Sequence, residues 1–219
     1  MSDNFDFNAA LPSSFKAINH NKTDHERYRR EQDEVNANFQ VRAAQRARND
    51  RVANLRVWDE KVPPRWRGAS LGHLPEGPQN ALKKIVSEGG RSAYIMGREG
   101  SGKTYAAYAF VRRLVGRGAL LPSGVRTYTE AEIVGHARGG FSGRDALQAI
   151  LDDKKTSAII LDGVGFVDDY TDRDAIAVEQ LIDRAYAEDL PLIVTGNLAE
   201  CAGTVCATSG SPTSVRHPR

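Results

Sequence analysis

The stretch Gly97-Arg-Glu-Gly-Ser-Gly-Lys-Thr104 combines closely spaced glycines with a lysine and a hydroxyl residue. It fits the phosphate-loop pattern G-x-x-x-x-G-K-[ST], and it lies between a predicted strand and a predicted helix, the context that this motif requires. Glycines let the backbone N–H groups turn inward, and the N-terminus of the following helix attracts phosphate. We therefore predict a nucleotide site whose binding residues are Gly97, Gly100, Ser101, Gly102, Lys103 and Thr104.

Two further predicted strands end in polar residues that suit such a site. One apolar strand ends at Asp162, and the next is followed by Asn197. Ligands of open parallel sheets bind at the carboxyl ends of the strands, so we expect both side chains near the phosphate loop. Lys103 would contact the β- and γ-phosphates of ATP, Thr104 and, through water, Asp162 would hold Mg²⁺, and Asn197 would orient the attacking water. A ligand-free glycine turn and an asparagine that caps a turn are the alternatives.

The elements that must position these residues alternate between strand and helix. We predict strands at 92–97, 125–129, 157–162 and 191–195, a helix at 80–88, a helix at 102–115, helical segments between 130 and 153, and a helix at 173–188. This rhythm predicts an α/β fold, a three-layer P-loop NTPase with a central parallel sheet.

A long helix is predicted before this domain. Residues 23–58 contain neither Pro nor Gly and begin with Thr23-x-x-Glu26, the pattern of a capping box. A thin apolar stripe suits docking, either on a partner or on the chain's own domain, and consists of Tyr28, Val35, Phe39, Ala43 and Ala47. We divide the chain into a mobile arm (1–22), a helical partner-binding segment (23–61), a compact domain (62–198) and a low-complexity tail (199–219).

The composition limits the class of protein. The chain has 219 residues and a formal charge of +2, too mild to indicate nucleic acid by itself, although arginines are concentrated between Val41 and Arg56. No apolar run approaches the roughly 18 residues that span a bilayer, and the first ten residues lack the pattern of a signal peptide. We therefore expect a cytoplasmic protein without a membrane partner. Cys201 and Cys206 are expected to be plain thiols.

Together these residues resemble the DnaC-type helicase loaders and the IstB-type transposition helpers, both AAA+ ATPases. The resemblance covers residues 62–198. It rests on the phosphate loop, on Val62-Pro-Pro-Arg-Trp-Arg-Gly-Ala-Ser-Leu71, on Leu181-Ile-Asp-Arg-Ala-Tyr186 and on Pro191-Leu-Ile-Val-Thr-Gly-Asn-Leu198. It implies an AAA+-like ATPase with ATP and Mg²⁺, single-stranded DNA as a partner, a homo-oligomer, and a helicase or transposase bound through residues 23–58.

The resemblance also implies a DNA-contacting element between the second strand and the strand that ends at Asp162. Arg138 and Arg144 would meet phosphates there, while Phe141 would stack on a base. A plain flexible loop over residues 136–144 is the alternative.

The chain departs from the family after the metal-binding aspartate. The family places an acid there to polarise the lytic water, whereas this chain has Gly163. Losing a general base costs about 10²–10⁴-fold in rate, so we expect ATP binding with weak hydrolysis. Asp168 or Asp169 could supply the carboxylate, and the predicted catalytic residues are therefore Lys103, Asn197 and Asp169. The glycine is equally explained by the turn, since Asp-Gly is a favoured turn pair.

A second departure concerns the end of the chain. The family's last strand and its arginine finger have no recognisable counterpart, so the edge strand at 93–96 needs another cover. Either residues 204–208 or the N-terminal arm would supply it, unless the chain is a truncated or frame-shifted relative.

Three functions fit these observations. The first is a DnaC-type loader, an ATP- and Mg²⁺-dependent switch acting on a helicase and single-stranded DNA. The second is an IstB-like transposition helper or a nucleotide-gated adaptor without significant turnover. The third, a small-molecule P-loop kinase, would need an arginine-rich lid after the phosphate loop, and no such segment is recognisable.

Overall fold

The computed structural model describes residues 22–165, 167, 169–197 and 205–206. The chain divides after Asn49 into two units. Helix α1 runs over Lys22–Lys61 and contributes to both, which confirms the predicted long helix. It begins at Lys22, so Thr23 lies within the helix and not before it. In the first unit the larger side chains of the apolar stripe are exposed: Tyr28, Val35 and Phe39.

The second unit contains the remaining helices and strands of the described residues. In chain order they are α2 (Glu76–Ser87), β1 (Ala93–Met96), α3 (Lys103–Gly116), β2 (Val125–Thr129), α4 (Glu130–Arg138), α5 (Gly140–Leu151), β3 (Ala158–Val164), α6 (Asp172–Ala187), β4 (Leu192–Gly196) and β5 (Val205–Cys206), with short 3₁₀ helices at Pro64–Trp66, Leu71–His73 and Pro122–Gly124. The strand order in the sheet is β2-β3-β4-β1-β5, and β1 to β4 are parallel. The predicted three-layer P-loop NTPase architecture is thereby confirmed.

Strand β3 explains why helices cover both faces of this sheet. Successive side chains of a strand point to opposite faces. Ile160 accordingly packs with α2, α3 and the end of α1, whereas Ile159 and Leu161 pack with α4, α5 and α6. A strand that is apolar on both faces requires a helical layer on each side.

The C-terminal end of α1 is part of the compact domain. Trp58 and Val62 are buried, and Leu55 packs against the same apolar cluster. Asp59 forms a bidentate ion pair with Arg112 of α3, with N–O distances of 3.0 and 3.1 Å. The second unit accordingly begins at Asp50, before the boundary at residue 62 that the sequence predicted. Within residues 50–61, which we assigned to partner binding, Trp58 and Leu55 thus contribute to the core.

Strand β5 covers the edge of the sheet beside the phosphate-loop strand. Cys206 pairs with Tyr94 and Val205 with Ile95, in antiparallel register. Both residues lie in the 204–208 stretch that we predicted for this role. In the described part of the chain, no helix is both long and apolar enough to cross a membrane.

Candidate nucleotide-binding site

The phosphate loop connects β1 to α3 with the backbone that its glycines permit. Gly100 and Gly102 have φ angles of 73° and 84°, in the left-handed region that only glycine adopts without strain. At Gly97 a Cβ atom would lie 2.7 Å from the Ser101 hydroxyl oxygen, so a side chain there would force that hydroxyl to move. The motif therefore has the loop geometry that the sequence predicted.

Lys103 and Asn197 come together across the site. The Lys103 ammonium donates hydrogen bonds to the Arg98 carbonyl oxygen at 2.8 Å and to Asn197 Oδ1 at 2.9 Å. Asn197 follows β4, the strand between β1 and β3, so its position follows from the sheet order. The Asn197 side chain thus points to the Lys103 ammonium, and its backbone N–H donates to the Val164 carbonyl oxygen.

Thr104 and Asp162 provide oxygen atoms that fit a magnesium ion bound with a nucleotide. The Thr104 hydroxyl donates to Asp162 Oδ1 at 2.9 Å. Its lone pairs remain available to a metal, because the donated proton leaves them free. The described residues contain no cluster of three or more His, Cys, Asp or Glu side chains. Mg²⁺ sites completed by substrate phosphates need only one or two protein oxygens, so this donor set fits.

Gly163 occupies a β-bulge at the end of β3. The register changes between Leu161, paired with Val194, and Val164, paired with Gly196. Gly163 has a φ of 79°, and its N–H donates to the Thr195 hydroxyl oxygen at 2.9 Å. A glycine in the left-handed conformation is characteristic of such bulges. The backbone therefore gives a reason for the glycine, although in a β-bulge within β3 and not in the Asp-Gly turn that the sequence suggested.

Thr195 is a site residue that the sequence analysis missed. Its hydroxyl donates to Asp162 Oδ1 at 2.5 Å, and its side chain is 1% exposed. The sequence signal that could have indicated Thr195 is that it is a single hydroxyl residue at the end of the apolar strand β4. Its meaning depends on the pairing of β4 with β3, which the sequence does not reveal.

Glu130, also missed, anchors the segment that follows Gly163. It is buried at the start of α4, and its Oε2 accepts a hydrogen bond from the Gly165 N–H at 2.9 Å. Burial, and next to it the Glu130 charge, raises the pKa of the Tyr170 hydroxyl in the same segment. The buried carboxylate thus holds the β3–α6 connection against α4.

Asp169 lies in that connection, on the side of α4. It has a φ of 53°, and its carbonyl oxygen accepts a hydrogen bond from Arg138 at 2.9 Å. The described residues show no hydrogen bond between Asp169 and Asp162. Asp168, the other candidate base, lies outside the described residues.

Arg138, whose side chain is 45% exposed, forms an ion pair with the buried Asp174. Its guanidinium donates to both carboxylate oxygens of Asp174, at 3.1 and 2.7 Å. Hydrogen bonds from Arg138, and then from Thr171, hold the pKa of Asp174 well below its usual range. Of the predicted DNA contacts, Arg138 therefore has a structural partner within the domain.

Residues 136–144 form a helix junction, so the flexible-loop alternative is wrong. Helix α4 ends at Arg138, and α5 begins at Gly140. Phe141 is 86% exposed, and the Arg144 guanidinium lies 5.7 Å from the centroid of its ring. These two residues present an aromatic and a cationic surface to solvent.

A cavity of about 390 Å³ adjoins the phosphate loop. Its apolar wall consists of Leu74, Pro75, Pro78, Ile95, Met96 and Ala106, and its polar wall includes Arg98, Ser101 and Lys103. Small-molecule sites combine apolar walls with a few polar groups in this way. The cavity therefore has room for a flat apolar group next to bound phosphates.

No protein-family model and no curated protein matches the sequence. Solved structures resemble part of it. AMPPCP-bound DnaA from Aquifex aeolicus is 18% identical, with a TM-score of 0.44 over 59% of this chain and 42% of that chain. A DNA replication initiation factor is 16% identical, with a TM-score of 0.45 over 63% and 43%. The replication initiator DnaA bound to AMPPCP and single-stranded DNA is 17% identical, with a TM-score of 0.43 over 59% and 42%. The chain spans less than half the length of each of these three structures.

Proposed function

We propose that this chain is an AAA+-like ATP-binding protein that acts as an ATP- and Mg²⁺-dependent switch and hydrolyses ATP weakly. The observation that carries the proposal is the contrast between a complete phosphate site and a glycine bulge after Asp162. Lys103 donates a hydrogen bond to Asn197 and Thr104 donates one to Asp162, and both pairs lie where the central strands end. Gly163, in contrast, offers no carboxylate for an attacking water.

Each residue has a definite task in this proposal. The inward-facing loop and the N-terminus of α3 bind the phosphates, and Lys103 neutralises the β- and γ-phosphate charge. Thr104 and Asp162 hold Mg²⁺, which supplies electrostatic stabilisation of the phosphate oxygens. Asn197 accepts a hydrogen bond from Lys103, so a nucleotide that contacts Lys103 also affects the position of Asn197. Without a base beside Asp162, the site favours retention of ATP over its turnover.

The proposed partners follow the resemblance to helicase loaders. The exposed aromatic and aliphatic residues of α1 before Asp50 suit a replicative helicase, or a transposase if the chain is an IstB-like helper. Phe141 and Arg144 suit single-stranded DNA, because bases stack on aromatic rings and arginine meets phosphate. We further propose a cytoplasmic location and assembly into a homo-oligomer. A nucleotide-gated adaptor is the limiting case in which turnover is negligible.

ATP binding and steady-state hydrolysis, with and without single-stranded DNA, test the proposal. Lys103→Ala should weaken ATP binding roughly 10–100-fold, because hydrogen bonds to charged groups contribute about 1.5–3 kcal/mol. The exposed lysine of α2, in Lys83→Ala, is the control and should bind as the wild type does. Wild-type turnover should be slow but above that of Lys103→Ala, and turnover no faster than in that variant would identify the nucleotide-gated adaptor.

Three results would contradict the proposal. Equal ATP affinity of the wild type and Lys103→Ala would exclude the phosphate site. Fast turnover that collapses in Asp169→Ala would place the general base at Asp169 and make the chain a working ATPase. Helicase binding that is insensitive to ATP would exclude the switch.

A further inference from the structure

Thr195 lies opposite the two residues that define the bulge. Leu161 pairs with Val194, and Val164 pairs with Gly196. Between these pairs, Thr195 is therefore the one residue of β4 opposite both Asp162 and Gly163. This register places the Thr195 hydroxyl within reach of both the Asp162 carboxylate and the Gly163 N–H.

The direction of the Thr195 hydroxyl proton is fixed by its two contacts. Its oxygen accepts the hydrogen bond from the Gly163 N–H at 2.9 Å, so its single proton is free to be donated elsewhere. That proton is donated to Asp162 Oδ1, at 2.5 Å. Thr195 is also stiff at χ1, because threonine is β-branched, and it is buried in a central strand. The hydroxyl thus has one arrangement that satisfies both neighbours.

Asp162 consequently receives hydrogen bonds from two sides. The Thr104 hydroxyl on α3 and the Thr195 hydroxyl on β4 both donate to Oδ1, and the Thr104 oxygen also lies 3.2 Å from Oδ2. A carboxylate with fixed contacts on both sides cannot rotate freely. Partners of this kind orient metal-binding groups, and replacing them typically costs about 10–100-fold in metal affinity.

We propose that Thr195 is a positioning residue that orients Asp162 for magnesium binding with ATP. This inference rests on the proposed function, since it concerns the same site. Thr195 itself holds neither metal nor phosphate. Its hydroxyl fixes the carboxylate, and the left-handed Gly163 provides the N–H that fixes the hydroxyl.

The test compares Mg²⁺ dependence of ATP binding in the full chain, with fluorescent mant-ATP as the probe. Thr195→Val removes the hydroxyl at nearly constant volume. It should raise the Mg²⁺ concentration at half-saturation about tenfold or more. Affinity for mant-ATP in EDTA should stay within about twofold, since the phosphate loop is untouched. Thr195→Ser keeps the hydroxyl and should restore the wild-type Mg²⁺ dependence.

Thr156→Val is the matched control. Thr156 is also buried, and its hydroxyl also donates to a carboxylate, Asp153, at 3.3 Å, but it precedes β3 at the opposite end of the strand. Its loss should leave the Mg²⁺ dependence unchanged. If Thr195→Val does not fold, Thr195→Cys takes its place, because a thiol is a much weaker donor of similar size.

A double-mutant cycle with Asp162→Asn gives the decisive outcome. If Thr195 acts through the carboxylate, Thr195→Val adds no further loss of Mg²⁺ affinity in that background. Additive losses would overturn the inference, as would a wild-type Mg²⁺ midpoint in Thr195→Val or equal losses in the Val and Ser variants. These results leave ATP binding by the wild type intact, whereas a wild type that binds no mant-ATP refutes the proposed function and this inference with it.

Discussion

Replacing Trp58 with alanine tests whether the end of α1 belongs to the core of the domain. The Trp58 side chain is 3% exposed, and its ring centroid lies 6.0 Å from that of Tyr108. A large aromatic side chain removes about 150–250 Å² from water, which corresponds to about 4–6 kcal/mol at ~25 cal/mol per Å². Measured costs of truncating buried aromatic residues are about 3–5 kcal/mol. We expect the free energy of unfolding to fall by about 3–5 kcal/mol.

Phe39→Ala provides the control on the same helix. Phe39 is 68% exposed, so its removal should change the free energy of unfolding by less than about 0.5 kcal/mol. Urea unfolding followed by far-ultraviolet circular dichroism measures both variants, because tryptophan fluorescence would itself be altered by the Trp58 change. In thermal unfolding, the Trp58 variant should melt roughly 6–20 °C lower.

Similar stability of the two variants would refute the reasoning. A loss below about 1 kcal/mol for Trp58→Ala is outside the range measured for buried aromatic residues. It would mean that α1 is attached to the domain only loosely and that the core begins near residue 62. The Asp59–Arg112 ion pair would then have to be regarded as a surface contact.

The backbone at Gly163 and the buried carboxylate of Asp174 give two further predictions. Gly163→Ala should lower the free energy of unfolding by about 1–2 kcal/mol, because its φ of 79° strains an L-residue. Gly135→Ala, at an unobstructed position within α4, should instead stabilise the chain. If both variants shifted the melting temperature in the same direction, the backbone argument would be wrong. The lowered pKa of Asp174 contributes stability that is present above pH 4 and lost as pH falls through its folded-state pKa. Urea titrations at pH 2 to 6 should show this loss, and Asp174→Asn should show a flatter acid limb.

The sequence predicted the order of strands and helices because the apolar runs are long and well separated by turn residues. The phosphate loop could also be predicted, since its motif residues all lie within one short stretch of the sequence. The predicted domain start at residue 62 leaves out Leu55 and Trp58, although they recur with Val62 at helical spacing. Because a thin apolar stripe already runs along the earlier part of α1, the sequence did not show where the helix passes from exposed to packed.

The contacts that could not be predicted join residues distant in sequence. Arg138 and Asp174 are 36 residues apart, and Thr195 lies 33 residues from Asp162. Either contact requires the sheet register or the packing of α4 on α6. Gly163 is intermediate: its residue type allowed a positive φ, but only the bulge shows that the backbone uses it.

Helix α3 has a mechanical consequence for the protein. Its first turn carries Lys103 and Thr104, and Arg112, roughly 13 Å further along the axis at 1.5 Å per residue, clasps Asp59 of α1. Between these points Tyr108 packs on Trp58 and Trp66. An uninterrupted helix contains no hinge, so α3 links the phosphate loop rigidly to the contact with α1. A small tilt of the first turn of α3 would therefore move the C-terminal end of α1 directly, because no loop lies between them.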